Sequence, residues 1–203
     1  MITLHHLNQS RSQRILWLLE ELELPYEVIR YQRDPQTRLA PPELRAIHPL
    51  GKSPVVEIEG QKVTESGAIV EILCARHGPH MVPEPGTNAH IRHLELMHFA
   101  EGSMMTPLLL NLYVGLLGDA GAPLHPRIEQ ELTSHFSYLE GLLRPSGHFV
   151  LDELSAVDIM LSFPAGALAR LGREQEFPNV ASFSKAMRAR PAYQRALVAG
   201  GED

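Results

Sequence analysis

The chain has 203 residues, room for one large domain or two small ones, and its 44% hydrophobic and 21% charged residues are the balance of an ordinary globular protein. A formal net charge of −6 argues against a surface for nucleic-acid phosphates, which needs a basic patch; the nearest cationic cluster, Arg188 to Arg195, is spread along one predicted helix. A single cysteine, Cys74, excludes an intrachain disulfide and suits a reducing compartment.

In chain order, Ile2 to Leu7 reads as a strand. It follows Met1 with no cationic and apolar leader ahead of it, so the expected location is the cytoplasm. Ser10 to Glu23 reads as a helix, with Ile15, Leu18, Leu19 and Leu22 on one face, and Pro25 ends it. Tyr26 to Tyr31 resumes strand character, Asp34 to Arg38 is loop, and Pro42 to Ile47 allows a short helix. Two strands follow, Pro54 to Ile58 and Gln61 to Thr64, joined by a turn at Gly60, and then a helix from Ser66 to Arg76. The order β-α-β-α-β-β-α fits a small mixed sheet with helices on its faces.

Breakers cluster next, in His77-Gly78-Pro79-His80 and Pro83-Glu84-Pro85-Gly86, which marks a linker between domains 1–80 and 88–203. Beyond it, helices are expected at Asn88 to Leu117, Pro126 to Leu143, Ala156 to Leu171 and Val180 to Ala189, with a short one after Pro191. Phe149-Val150-Leu151 is the one segment with strand character. The most apolar stretch, Met104 to Leu117, falls short of the ~20 residues that span a bilayer and contains Pro107 and Asn111, so no membrane partner is expected. The fold class is α/β plus all-α.

Five motifs carry chemistry or mimic it. His48-Pro49-Leu50-Gly51-Lys52-Ser53-Pro54-Val55-Val56 puts a proline at the mouth of a β-branched run, where a cis X-Pro corner would leave the backbone of Val55 open to an extended ligand. Glu65-Ser66 opens a helix whose free N–H groups suit a carboxylate. Together they describe a site for a small peptide. Ser155-Ala156-Val157-Asp158 has the spacing of a capping box, which makes Asp158 a folding residue. Ser10-Arg11-Ser12-Gln13 has the same spacing. Glu95-Leu96-Met97-His98 matches half of a di-iron ligand set but has no second half, so no metal is expected; His90 and His93 are placed on a solvated helix face, and Cys74 is read as a small buried hydrophobe.

The strand followed by Ser10 to Leu22, then Pro25-Tyr26-Glu27, Pro49-Leu50-Gly51-Lys52-Ser53-Pro54-Val55, Glu65-Ser66 and the Ser155 to Asp158 cap, resembles the cytosolic glutathione S-transferases over essentially the whole chain. That resemblance implies an N-terminal thioredoxin-like domain, a C-terminal helical bundle domain, a homodimer, and glutathione as co-substrate. It implies that Lys52 meets the glycine carboxylate, that Val55 after cis-Pro54 pairs with the cysteinyl backbone, and that Glu65 and Ser66 hold the γ-glutamyl end. Ser10 stands where serine-type members (theta- or delta-like, or bacterial and fungal relatives) place the hydroxyl that stabilises the thiolate, with Ser12 and Asn8 as competitors. No tyrosine or cysteine occupies that loop. The second substrate would be a small hydrophobic electrophile resting near Met104, Met105, Leu108 and Tyr113. Two other readings stay open: a binding or interaction module without turnover, and a glutathione-dependent peroxidase or isomerase.

Overall fold

The computed structural model describes residues 1–201 and divides into two compact units, one formed by residues 1–79 with the chain from Met187 onward, the other by His80–Ala186. The first unit is built on a four-stranded sheet of β1 (Ile2–Leu7), β2 (Tyr26–Tyr31), β3 (Val55–Ile58) and β4 (Gln61–Val63) in the order β2-β1-β3-β4. β1 runs parallel to β2 and antiparallel to β3, and β3 pairs antiparallel with β4. Helices α1 (Ser12–Glu21), α2 (Glu43–Ile47) and α3 (Ser66–His77) complete the expected thioredoxin-like order.

α1 is buried without a break from Ser12 to Leu19, so it carries apolar residues on all sides rather than on one stripe. It packs against β1 and α3, and its other side is covered by α10 (Pro191–Gly200). This last helix therefore belongs by packing to the first unit, although a division at the linker would assign it to the helical one. The cause is specific. Glu21 accepts from Arg190 at 2.6 Å and Glu20 from Arg195 at 2.7 Å, Trp17 meets Tyr193 edge-on at 5.2 Å, and Arg30 of β2 donates to the Ala199 carbonyl at 2.7 Å. Burial alone would raise the Glu21 pKa, but hydrogen bonds from Arg190 and Trp17 hold it below the ordinary carboxylate value.

The second unit contains α4 (Asn88–Gly102), α5 (Met105–Gly115), α6 (His125–Leu142), α7 (Ala156–Ala165), α8 (Ala167–Leu171) and most of α9 (Pro178–Arg188). α4 packs on α7 and α5 on α6, around Leu96, Met97, Ala100, Leu132, Phe136, Leu139, Ile159 and Met160. The single helix expected from Asn88 to Leu117 is two helices. Pro107 lacks an N–H and fits only the first turn of a helix, so α5 must begin just before it. The segment 149–151 is no strand; Phe149 and Val150 are buried in bends, and Phe149 packs edge-on against Phe183 at 4.9 Å. His93 is also not on a solvated face. It is 2% exposed, stacks on His90 at 5.9 Å, and burial followed by the neighbouring His90 pushes its pKa down to about 4. Cys74 is buried, and burial pushes its thiol up to about 12.

The start of α7 carries the capping box. Asp158 is fully buried and accepts from the Ser155 N–H at 2.8 Å, the Ser155 hydroxyl at 2.8 Å and the Phe149 N–H at 3.0 Å, with His148 3.2 Å away. Its carboxylate is committed to folding. Among the described residues no helix is long and apolar enough to cross a membrane.

Candidate active site

Two chain segments meet beside the end of β1, and a third joins them through α1. The first is the turn from β1 into α1. Gln9 takes a left-handed φ of 50°, and the chain then enters the helix with Arg11 at the N-cap and no side-chain cap. The capping box expected at Ser10 does not form. Gln13 N–H bonds to the Ser10 carbonyl at 3.2 Å, while the Ser10 hydroxyl accepts from Ser12 N–H at 3.2 Å and lies 2.7 Å from the Ser12 hydroxyl. Ser12 Oγ is in turn 2.8 Å from His6 Nδ1 on β1. Ser10, Ser12 and His6 are 5%, 0% and 0% exposed, so the chain of hydroxyls is buried and only its Ser10 end reaches any surface.

The second segment is the proline corner. The Ser53–Pro54 peptide bond is cis, as the motif predicts, and Pro54 and Val55 are buried. The Ser53 hydroxyl donates to the His5 carbonyl at 2.8 Å and accepts from Leu7 N–H at 3.2 Å; the same N–H lies 3.3 Å from Ser12 Oγ. One backbone donor at the end of β1 thus joins the proline corner to the serine turn. Val55 faces His5 across β3–β1, but the β3–β4 ladder begins one residue later, at the Val56–Val63 pair. The edge next to Val55 therefore lies outside the β4 pairing. Gly51, two residues before Ser53, sits at φ 57° against Arg45, whose Cγ would lie 2.7 Å from an added Cβ; a side chain there would be strained by the backbone and would have to displace Arg45. Lys52 is exposed.

The third segment is the start of α3. Glu65 is exposed and holds the N-cap position at φ 68°, a conformation that costs a non-glycine residue about 1–3 kcal/mol and persists only where the surroundings over-determine it. Ser66 is buried at 4%, and Arg14, 1% exposed in the first turn of α1, donates from Nη2 to its hydroxyl oxygen at 3.1 Å. Since Ser66 accepts from Arg14, its own O–H is left to donate. A guanidinium near the positive end of a helix favours a nearby anion.

The motif residues Ser10, Pro54, Val55 and Ser66 are thereby gathered around one strand end and one buried arginine. Four contributors escaped the reading of the chain: His6, Arg14, Ser53 and the backing helix α10. Arg14 was the detectable one, because an arginine directly preceding Ile15-Leu16-Trp17-Leu18-Leu19 has to find a partner if the helix is buried. The methionines behave differently from the site residues. Met104 and Met105 are buried at 0% and 5% within the helical unit, whereas Leu108 is half-buried and Tyr113 is 57% exposed. Among the described residues no group of three or more His, Cys, Asp or Glu could hold a metal ion.

Residues 1–73 match the glutathione S-transferase N-terminal domain family and residues 103–191 the glutathione S-transferase C-terminal domain family. Glutathione S-transferase 3 of Schizosaccharomyces pombe is 34% identical over 95% of this chain and 85% of its own length. Glutathione S-transferase 1 of Saccharomyces cerevisiae is 31% identical over 95% of this chain and 92% of its own. The crystal structure of a glutathione S-transferase from Actinobacillus pleuropneumoniae superposes with a TM-score of 0.90 at 32% identity, covering 99% of this chain and 93% of that one. With both domain families matched and relatives aligned nearly end to end, the chain belongs to the glutathione S-transferase family, enzymes that conjugate the co-substrate glutathione to electrophiles.

Proposed function

We propose that this glutathione transferase is of the serine type, with Ser10 as the residue that donates a hydrogen bond to the sulfur of bound glutathione. A free thiol ionises with a pKa of about 8.5, so a donor to the thiolate raises the share of nucleophile at neutral pH. The single observation that carries this reading is the burial order of the hydroxyl chain. Ser10 holds its outer end, while Ser12, fully buried and surrounded by His6, Leu7 and Ser10, has no face left for a ligand. Asn8 is occupied elsewhere, its side-chain oxygen accepting from Arg33 N–H at 2.9 Å.

The tripeptide lies extended along the open edge at Val55, with its γ-glutamyl carboxylate at the start of α3 on Ser66 and its ammonium near Glu65. Lys52 takes the glycine carboxylate. Arg14 supports the first of these from beneath. The hydrophobic electrophile uses the accessible surface of α5, through Leu108 and Tyr113; Met104 and Met105 act only by shaping that helix from inside. The active form is a cytoplasmic homodimer.

The test pairs calorimetric titration of glutathione with a conjugation assay on a generic aryl halide. Binding with turnover, and loss of turnover but not of binding in Ser10→Ala, is the expected result. Tight binding without turnover would return the protein to the class of non-catalytic modules.

A further inference from the structure

A hydroxyl group owns one proton and two lone pairs, so a row of touching hydroxyls has a direction. Two short contacts make such a row here, Ser10 Oγ to Ser12 Oγ at 2.7 Å and Ser12 Oγ to His6 Nδ1 at 2.8 Å. Each contact needs one proton between its heavy atoms. If the Ser10 proton points out to a sulfur anion, the proton in the first contact must come from Ser12. Ser12 then has none for His6, and the second contact needs a proton on Nδ1. If Nδ1 is bare, everything reverses: Ser12 donates to the ring, Ser10 donates to Ser12, and Ser10 offers an approaching thiolate only a lone pair.

We propose that His6 is a positioning residue for catalysis, its Nδ1–H setting the direction of the Ser12 and Ser10 hydroxyls so that the one Ser10 proton faces the glutathione sulfur. The proposal rests on the reading of Ser10 given above. In this state every group in the row is used once. His6 Nδ1 donates to Ser12 Oγ, Ser12 donates to Ser10 Oγ, and Ser10 also accepts Ser12 N–H, which leaves its proton for the ligand. A row polarised in one direction also strengthens each bond in it.

The surroundings hold the imidazole in place. His6 is fully buried on β1, and α10 closes over it at Gly200, where an added Cβ would stand 3.0 Å from His6 Nε2, 3.3 Å from Leu16 Cδ1 and 3.4 Å from Gln13 Oε1. Glycine is the residue that lets the helix come this close. The packing of α10 onto α1, which has no counterpart in the glutathione-binding segments themselves, thus acquires a role: it fixes the ring that orders the hydroxyls.

The experiment measures the pKa of enzyme-bound glutathione from thiolate absorbance, together with kcat and KM, in His6→Leu, His6→Asn, Ser12→Ala and Ser10→Ala. In His6→Leu the bound thiol pKa rises by about one unit, which is a tenfold loss of thiolate well below that pKa. The rate falls in parallel, and KM for glutathione stays within about twofold because the ends of the tripeptide are held elsewhere. His6→Asn carries an amide N–H near the place of Nδ1 and restores the wild-type pKa, a rescue that simple repair of packing would not produce. Ser12→Ala gives a smaller rise, since Ser10 keeps its proton but loses the donor behind it. A raised pKa in Ser10→Ala with no change in His6→Leu overturns the role of His6 and spares that of Ser10; no change in Ser10→Ala overturns both. Should His6→Leu fail to fold, nitrogen NMR of the wild-type glutathione complex decides, with the His6 resonances identified by their loss in His6→Asn. A protonated Nδ1 is expected while the thiol is ionised, and a bare Nδ1 in that state overturns the proposal.

Discussion

Two helix starts in this molecule share one sequence pattern and do opposite things with it. Ser155-Ala156-Val157-Asp158 opens α7 and Ser10-Arg11-Ser12-Gln13 precedes α1. At α7 the serine and the acid close on each other and on the backbone, and the pair is buried with its hydrogen-bonding capacity turned inward. At α1 the helix begins one residue late, the serine hydroxyl meets a second serine instead of the N3 position, and the row keeps one end open. The difference comes from chemistry at the fourth residue and from the neighbour at the second. A carboxylate accepts two backbone donors and locks a box; a glutamine with a competing Ser12 and His6 alongside does not. The Ser155 hydroxyl gives its proton to Asp158, while the Ser10 hydroxyl, which accepts from the Ser12 N–H, can still donate to a ligand.

Asp158→Ala should produce the largest effect, and on stability alone. It leaves the Phe149 N–H, Ser155 N–H and Ser155 hydroxyl buried without their acceptor. A loss of about 3 kcal/mol or more is expected, with a Tm lower by roughly 6–12 °C for a chain of this size. Activity per folded molecule should hold, and a fall in kcat without a fall in Tm would erase the contrast between the two helix starts. Ser10→Ala is the mirror image. A hydrogen bond to a charged partner is worth about 1.5–3 kcal/mol, so the conjugation rate should drop roughly 10- to 100-fold, while urea unfolding shows a change under about 1 kcal/mol. A destabilised Ser10→Ala protein with a normal rate would make this serine a cap after all.

The comparison extends to two buried histidines. His6 is tied into the serine row of the first unit, whereas His93 in α4 is buried against His90 and stays neutral, its pKa pushed down to about 4. An unfolded histidine titrates near 6.5. Between those values the unfolded chain binds more protons than the folded one, so stability falls as the pH drops from about 6.5 towards 4. His93→Leu should flatten that acid limb by on the order of 1–2 kcal/mol, read as the difference in urea midpoint between pH 7 and pH 4.5. Parallel pH dependence in the two proteins would mean that His93 takes up its proton in the folded state.

The elements of the sheet unit were readable because their signals are local. Alternation or helical periodicity marks each one, and Pro25, Gly60 and the breakers from His77 to Gly86 punctuate them; β2 and the cis bond at Pro54 stand where the residues place them. What was not readable depends on contacts between distant positions. The break between α4 and α5 had a local cause in Pro107 that a uniformly apolar run concealed. The assignment of α10 to the first unit rests on Arg190–Glu21 and Arg195–Glu20, pairs about 170 positions apart. His6 and Arg14 look like polar interruptions of apolar segments, and only the fold shows that one reaches Ser12 and the other Ser66. The candidate site was thus legible where it consists of turns and helix starts, and hidden where buried polar side chains brace it from behind.

The smallest expected effect gives the sharpest test of the contrast at α1, because it concerns Gln13, the residue that a capping box would need. The side chain of Gln13 is 6% exposed, and among the described residues neither its Oε1 nor its Nε2 finds a partner. Were it capping the helix, Gln13→Met would remove a satisfied bond and cost about 1 kcal/mol. As the structure stands, the amide is desolvated without compensation, and replacing it by an apolar side chain of similar length removes that penalty. Gln13→Met should therefore be neutral or stabilising by up to about 0.5 kcal/mol, with the glutathione thiol pKa unchanged. A clear loss of stability would show that the Ser10-to-Gln13 box forms in solution. The Ser10 hydroxyl would then be turned towards the helix and away from the sulfur, so the sign of this small change bears directly on the catalytic assignment.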